Sequence, residues 1–269
     1  MNEESFILPS GDARLLAVWH GAGGAACRGA LVVCHPLFEE KKAAHRPLVE
    51  MAREAARRGF HVLRLDCEGC GDSSGDLGAV TIESWLRDIG TGLDFAASRA
   101  GSRPVGLLGL RFGATLACLA AERRADVRFL ALWEPVLNGR GYLMGDYRKK
   151  QVREMMTFGA AKTGRGSFRD ALRAEGALDY DGFAVNAALF DSIAAVELAA
   201  GLKAFRGWLF TASVGAAVPP PVARFCGSLP PERVTTVSLD LPPYWNTVGI
   251  VDCGRLVEAT AAWMEAKVG

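Results

Sequence analysis

The stretch Pro104–Glu122, PVGLLGLRFGATLACLAAE, decides the fold. VGLLGL is an unbroken apolar run of strand length, as expected of a strand covered on both faces. It runs into Gly109-Leu110-Arg111-Phe112-Gly113, where two glycines bracket an arginine in a tight turn, and the alanine- and leucine-rich remainder reads as a buried helix. The same alternation continues on both sides. Upstream, ALVVCHP (Ala30–Pro36) is a second covered strand, and Leu48, Met51, Ala52 and Ala55 share one helical face. Gly59 closes that helix, FHVLRLD returns as a strand, and Ile82, Trp85, Leu86 and Ile89 mark the next helix. Downstream come the strands VRFLALWEP, RGWLFTAS and RVTTVSLDL, then a helix with Val257, Thr260, Ala261 and Met264 on one face. This order predicts an α/β fold with a mainly parallel, doubly wound sheet. ESFILPS and ARLLAVWHG form a leading antiparallel hairpin. The interval from Leu137 to Gly201 breaks the alternation and is charged and glycine-interrupted. It predicts a helical cap over the C-terminal edge of the sheet (residues 137–201), inserted into a core formed by residues 1–136 and 202–269.

Composition narrows the function classes. Half of the 269 residues are hydrophobic and the net charge is +1, so no strong field points to nucleic acid or an anionic surface. No apolar stretch has the length of a membrane span, and MNEESFILPSGD lacks the apolar centre of a signal peptide, so a cytoplasmic location is expected. Seven cysteines without secretory context predict reduced thiols. Cys67 and Cys70 form a lone C-x-x-C in a loop, without the second pair that a zinc site needs. His35, Glu39, Glu40 and His45 cluster at a spacing that matches no strong ligand pattern. No metal and no cofactor are expected.

The turn at Arg111 has the spacing of a G-x-S-x-G nucleophile elbow. CHPLFEEKKAAHRPLVEMAREAARRGFHVLRLDCEGCGDSSGD (Cys34–Asp76) resembles the first crossover of α/β-hydrolases, with strand, oxyanion loop, helix, strand and glycine-rich turn. The Glu39-Glu40 pair, the Gly-Leu-Arg-x-Gly-Ala elbow and LWEPVLNGRGYL resemble the hydrolase 2 group associated with the exosortase A system. That group is found beside bacterial exopolysaccharide and protein-sorting genes. YDGFAVNAALFDSI is similar to that group's Gly-Tyr-x-Leu-Ser segment, with Phe183 for the tyrosine. The resemblance runs from about Leu31 to Gly141 and implies an α/β-hydrolase fold.

Its catalytic positions are changed. Arg111 stands where the nucleophile is expected, and a guanidinium does not attack a carbonyl at neutral pH. All four histidines (His20, His35, His45, His61) lie in the first quarter of the chain. The loop PPYWNTVG offers Tyr244, Trp245 or Asn246 in the histidine's place, and VGAAVPP, beginning Val214-Gly215, offers no carboxylate for the acid. Glu134 is the nearest candidate for a relocated acid, and His35 reads as a hydrogen-bonded loop histidine rather than a base. Backbone groups are indifferent to such replacement, so the N–H of Phe112 and of Leu37 or Phe38 remain candidate oxyanion donors. The resulting expectation is a pseudoenzyme that binds a small anionic or acyl ligand or a protein partner. The competing expectation is an ester or thioester hydrolase in which Glu39, Glu40, Glu134 or His35 activates water.

A buried arginine needs a partner, because desolvating a lone ion costs several kcal/mol. Glu39, Glu40 and Glu134 are the available carboxylates. Arg111 then either closes an internal ion pair over the old nucleophile position or, with the Phe112 N–H, forms the floor of an anion site.

Overall fold

The computed structural model describes residues 2–24, 27–159, 172, 176–180, 182–247 and 249–268. Its main sheet has eight strands: β1 (Glu3–Ser10), β2 (Ala13–His20), β3 (Gly29–Cys34), β4 (Phe60–Leu65), β5 (Val105–Leu110), β6 (Val127–Trp133), β9 (Trp208–Val214) and β10 (Val234–Leu239). They lie in the order β1-β2-β4-β3-β5-β6-β9-β10. The first hairpin is antiparallel and joins β4 antiparallel, whereas every pairing from β4 to β10 is parallel. β3 and β5 are buried at every position, as their unbroken apolar sequences require.

Helices cover both faces. α2 (His45–Arg57) and α8 (Gly254–Lys267) lie on one, burying Leu48, Met51, Leu256 and Met264 against β3, β5 and β6. α3 (Ile82–Ala100), α4 (Phe112–Arg123) and α7 (Pro220–Cys226) lie on the other, with Trp85, Ile89, Leu116 and Phe225 in its core. The short α1 (Phe38–Ala43) follows β3 at the C-terminal edge of the sheet.

Between β6 and β9 the chain leaves the sheet for α5 (Gly139–Phe158), β7 (Ala177–Tyr180), β8 (Phe183–Asn186) and α6 (Ala187–Ala194). This insertion is not wholly helical as expected: β7 and β8 pair as an antiparallel hairpin. Four-residue strands are too short to show a period, and the one local signal is Gly182, which stands between them at φ +89°. The glycine-interrupted stretch GAAKTGRGSF of the insertion lies outside the described residues from Ala160 onward. No helix among the described residues is long and apolar enough to cross a membrane.

Candidate functional site

Arg111 sits in the turn from β5 to α4, with φ 55° and ψ −122°. The flanking glycines explain how so sharp a turn packs. A Cβ on Gly113 would stand 2.2 Å from the Cys34 carbonyl oxygen, and one on Gly109 2.4 Å from Gly113 O and from Ala114 Cα. Hydrogen bonds fix the turn from both sides. The Arg111 N–H donates to Trp133 O at 2.9 Å, and its carbonyl accepts from Ala114 at 3.0 Å and from Thr115 and Val136 at 3.4 Å. Phe38 (φ 52°) and Glu134 (φ 47°) are the other non-glycine residues with positive φ among those described. All three lie at the C-terminal ends of adjacent strands, and such strain, about 1–3 kcal/mol per residue, concentrates at functional sites. The Phe112 N–H, at the start of α4, has no acceptor among the described residues.

The Arg111 side chain is held in a box. Its Nε donates to Glu40 Oε1 at 3.0 Å, and its guanidinium lies 5.0 Å from the centre of the Trp245 ring and 5.7 Å from that of Tyr142. The Tyr142 hydroxyl donates to the other Glu40 oxygen at 3.1 Å, and its ring stacks on Phe112 at 5.6 Å. Three parts of the chain thus meet: α1 brings Glu40, the first turn of α5 brings Tyr142, and the turn after β10 brings Trp245. The pair is largely removed from water, with side-chain exposures of 18% for Arg111 and 9% for Glu40. Burial alone would lower the arginine pKa, but the adjacent Glu40 carboxylate outweighs it and leaves it raised, so Arg111 is a cation at every accessible pH.

Glu134 stands beside this box. One oxygen accepts the Val214 N–H, and burial raises its carboxyl pKa against the opposing effects of that bond and of Arg111. Tyr244, next to Trp245, is buried, its hydroxyl has no hydrogen-bond partner among the described residues, and burial pushes its pKa far up.

Of the residues singled out from sequence, Arg111, Phe112, Glu40 and Trp245 converge, with Glu134 at their edge. Leu37 and Phe38 begin α1 as expected, and Phe183 from the hairpin packs on Phe38 at 5.5 Å. Glu39 does not join: it faces outward and pairs with Lys42 at 2.7 Å. Gly215, at φ 127°, has no side chain to offer: its N–H donates to Leu239 O at 2.8 Å and its carbonyl accepts from the Ser238 hydroxyl at 2.5 Å. His35 turns away, toward Asp66, Lys41, Arg64 and His45. Its Nδ1 is buried and has no hydrogen-bond partner among the described residues, so the expected loop bond is not seen at that atom, and burial lowers its pKa to about 3. His20 accepts from Arg64 at 3.0 Å, and His61 accepts the Ala22 N–H at 3.0 Å. Tyr142 was missed as a site residue, because only the fold of the insertion brings it to Glu40. Among the described residues no group of three or more His, Cys, Asp or Glu side chains is arranged to hold a metal, and all seven cysteines are unpaired.

The family profile of the serine aminopeptidases, S33, matches residues 25–198, which include the elbow, α1 and most of the insertion. The chain belongs to that family. No curated protein matches this S33 chain in sequence. Solved structures do match its fold. The ferulic acid complex of Est1E from Butyrivibrio proteoclasticus has 15% identity and a TM-score of 0.69, with 98% of this chain and 99% of that chain covered. A soluble variant of the monoglyceride lipase of Saccharomyces cerevisiae has 12% identity and a TM-score of 0.68, covering 100% and 97%. The proline iminopeptidase of Mycobacterium smegmatis has 15% identity and a TM-score of 0.66, covering 98% of each. This chain and these neighbours share the α/β-hydrolase fold.

Proposed function

We propose that this S33 chain is a non-catalytic member of its family, a binding protein on a hydrolase scaffold. The observation that carries this reading is the ion pair between Arg111 and buried Glu40: the residue aimed from the elbow is a cation tied to a carboxylate. A serine hydrolase needs an activated nucleophile and a base to take its proton. Arg111 offers no nucleophile, and the histidines have other neighbours. The insertion is read as a cap, anchored to the floor by the Tyr142–Glu40 bond. Glu40 uses only the Nε–H of Arg111, and the remaining guanidinium donors have no acceptor among the described residues. With the Phe112 N–H they suit a carboxylate or phosphate on a small ligand. A cytoplasmic location fits the unpaired thiols. A place in an exosortase-linked pathway rests on the sequence resemblance alone.

A second reading has one observation in its favour. Glu134, with its raised carboxyl pKa beside the elbow, could serve as a base toward water, which would make the chain an ester or thioester hydrolase. A screen of wild type, Arg111→Ser and Glu134→Gln against short acyl esters, acyl thioesters and aminoacyl anilides separates the two. Background rates in all three are expected, since an unassisted serine is a poor nucleophile at neutral pH. Turnover by wild type that Glu134→Gln abolishes would overturn the non-catalytic reading. Strong activity in Arg111→Ser would show that a base had been overlooked.

A further inference from the structure

The parallel strands have a second end, remote from Arg111, where a different chemistry gathers. Pro104 precedes β5, Arg128 is the second residue of β6, Trp208 opens β9, Arg233 precedes β10, and Lys267 ends α8. With Arg206 these residues line one open cleft at the N-terminal edge of the sheet. A second depression adjoins it, sharing Pro104 and Arg128 and adding Arg103 and Asp126. The cleft therefore brings together four cationic side chains and no carboxylate. None of the four forms an ion pair among the described residues, whereas nine other arginines do.

The surrounding carboxylates are largely engaged elsewhere. Asp126 bonds Arg124 at 2.8 and 2.6 Å, Glu122 accepts the N–H groups of Lys203, Ala204 and Phe205, and Glu265 pairs with Arg28 and Arg58. Glu122 is held by those N–H groups rather than by an ion pair, which leaves Glu232, exposed on the turn before Arg233. It is too little to balance four cations.

The cleft is also partly ordered in advance. Arg206 donates to the carbonyls of Lys203 at 2.6 Å and Phe205 at 2.9 Å, and Arg233 donates to the carbonyl of Arg206. The Lys267 ammonium lies 5.1 Å from the centre of the Trp208 ring. Guanidinium groups so tethered lose less freedom on meeting an anion, and a concave surface of one sign concentrates the field that attracts it. On a molecule of net charge +1, this much local positive charge calls for a counter-charge.

We propose that this cleft is a binding site for a multiply charged phosphate group, either a free oligophosphate or the phosphate tail of an organic molecule. It is separate from the Arg111 box and does not depend on whether that box is catalytic.

The test is calorimetric titration of the full chain with sodium tripolyphosphate and, separately, with a nucleoside triphosphate, against sodium chloride of equal ionic strength. Saturable binding to wild type is expected. Arg128 and Lys267 are exposed and make no structural hydrogen bond among those described, so Arg128→Gln/Lys267→Gln folds normally. Its binding is expected to be about tenfold weaker or worse, the loss of a single charge-assisted contact alone amounting to that factor. Arg255→Gln, an exposed cation at the other end of α8, is expected to bind as wild type does. Equal affinity for both probes assigns a free oligophosphate, and tighter binding of the nucleotide that Trp208→Leu removes assigns an organic tail. No heat above the salt control, unchanged binding by the double variant, or an equal loss of binding in Arg255→Gln would each overturn the proposal.

Discussion

Replacing Arg111 by methionine tests the box directly. The substitution keeps an apolar stem of similar length but strands the Glu40 carboxylate, whose residue is only 7% exposed. Breaking a buried pair by removing one partner costs about 3–5 kcal/mol. Loss of the two cation–π contacts adds to this, while the Tyr142 hydroxyl still bonded to Glu40 offsets part of it. A total near 3–5 kcal/mol is therefore expected. Urea unfolding followed by circular dichroism measures it, provided that the slope of the transition is unchanged. Two companion measurements isolate the cause. Arg111→Met with Glu40→Gln should regain most of the loss, since a buried ion pair replaced as a unit is often nearly neutral. Arg111→Ala should be stabilised by millimolar methylguanidinium more than by sodium at the same ionic strength, because the aromatic and carboxylate walls remain to receive a cation. A cost below about 1 kcal/mol for Arg111→Met would refute the reasoning, since a solvated pair contributes no more than that.

Three further outcomes are expected. Burial lowers the folded pKa of His20 to about 4 and of His35 to about 3, so the unfolded chain binds protons first as pH falls. Stability should then drop between pH 6.5 and about 4, by about 1.4 kcal/mol per pH unit for each imidazole, with Glu134 partly offsetting it; urea melts at pH 7.5 and 5.5 that agree would contradict this. Gly113→Ala would drive a Cβ against the carbonyls of Cys34 and His35 and should cost about 3 kcal/mol or more, and a midpoint close to wild type would show that the elbow gives way easily. Tyr142→Phe removes the charge-assisted bond to Glu40 but keeps the stacking on Phe112, so it should lower stability by about 1.5–3 kcal/mol and speed proteolysis within α5. Unchanged melting and unchanged cleavage would show that the bond does not hold the insertion.

The sheet could be read from sequence because covered strands such as VGLLGL and ALVVC carry an unbroken apolar run, and the helices between them keep a clear period, as Leu48, Met51, Ala52 and Ala55 do. The elbow was legible for a related reason: two glycines at fixed spacing around one residue have few other uses. The partners of Arg111 were only half legible. Glu39 and Glu40 are chemically alike and adjacent, and the helical turn of α1 alone decides that Glu40 faces inward while Glu39 faces Lys42. Tyr142 and Trp245 lie far from Arg111 along the chain and in segments without a strong period, so their meeting depends on tertiary packing. The basic cleft escaped notice because its cations come singly from separate strand ends, and a net charge of +1 averages them away.

The elbow's backbone is held by contacts that never consult the side chain at its tip: bonds to Trp133, Ala114, Thr115 and Val136, and two glycines pressed against neighbouring main chain. The scaffold is thus a socket, and residue 111 is a replaceable fitting. A lineage can exchange one fitting for another without rebuilding the architecture, provided that Glu40 and its aromatic walls change in step. The same tolerance makes the turn a ready mount for new chemistry: a thiol placed at position 111, together with substitutions that neutralise Glu40, would be presented at the mouth of α4 in the orientation that the arginine now has.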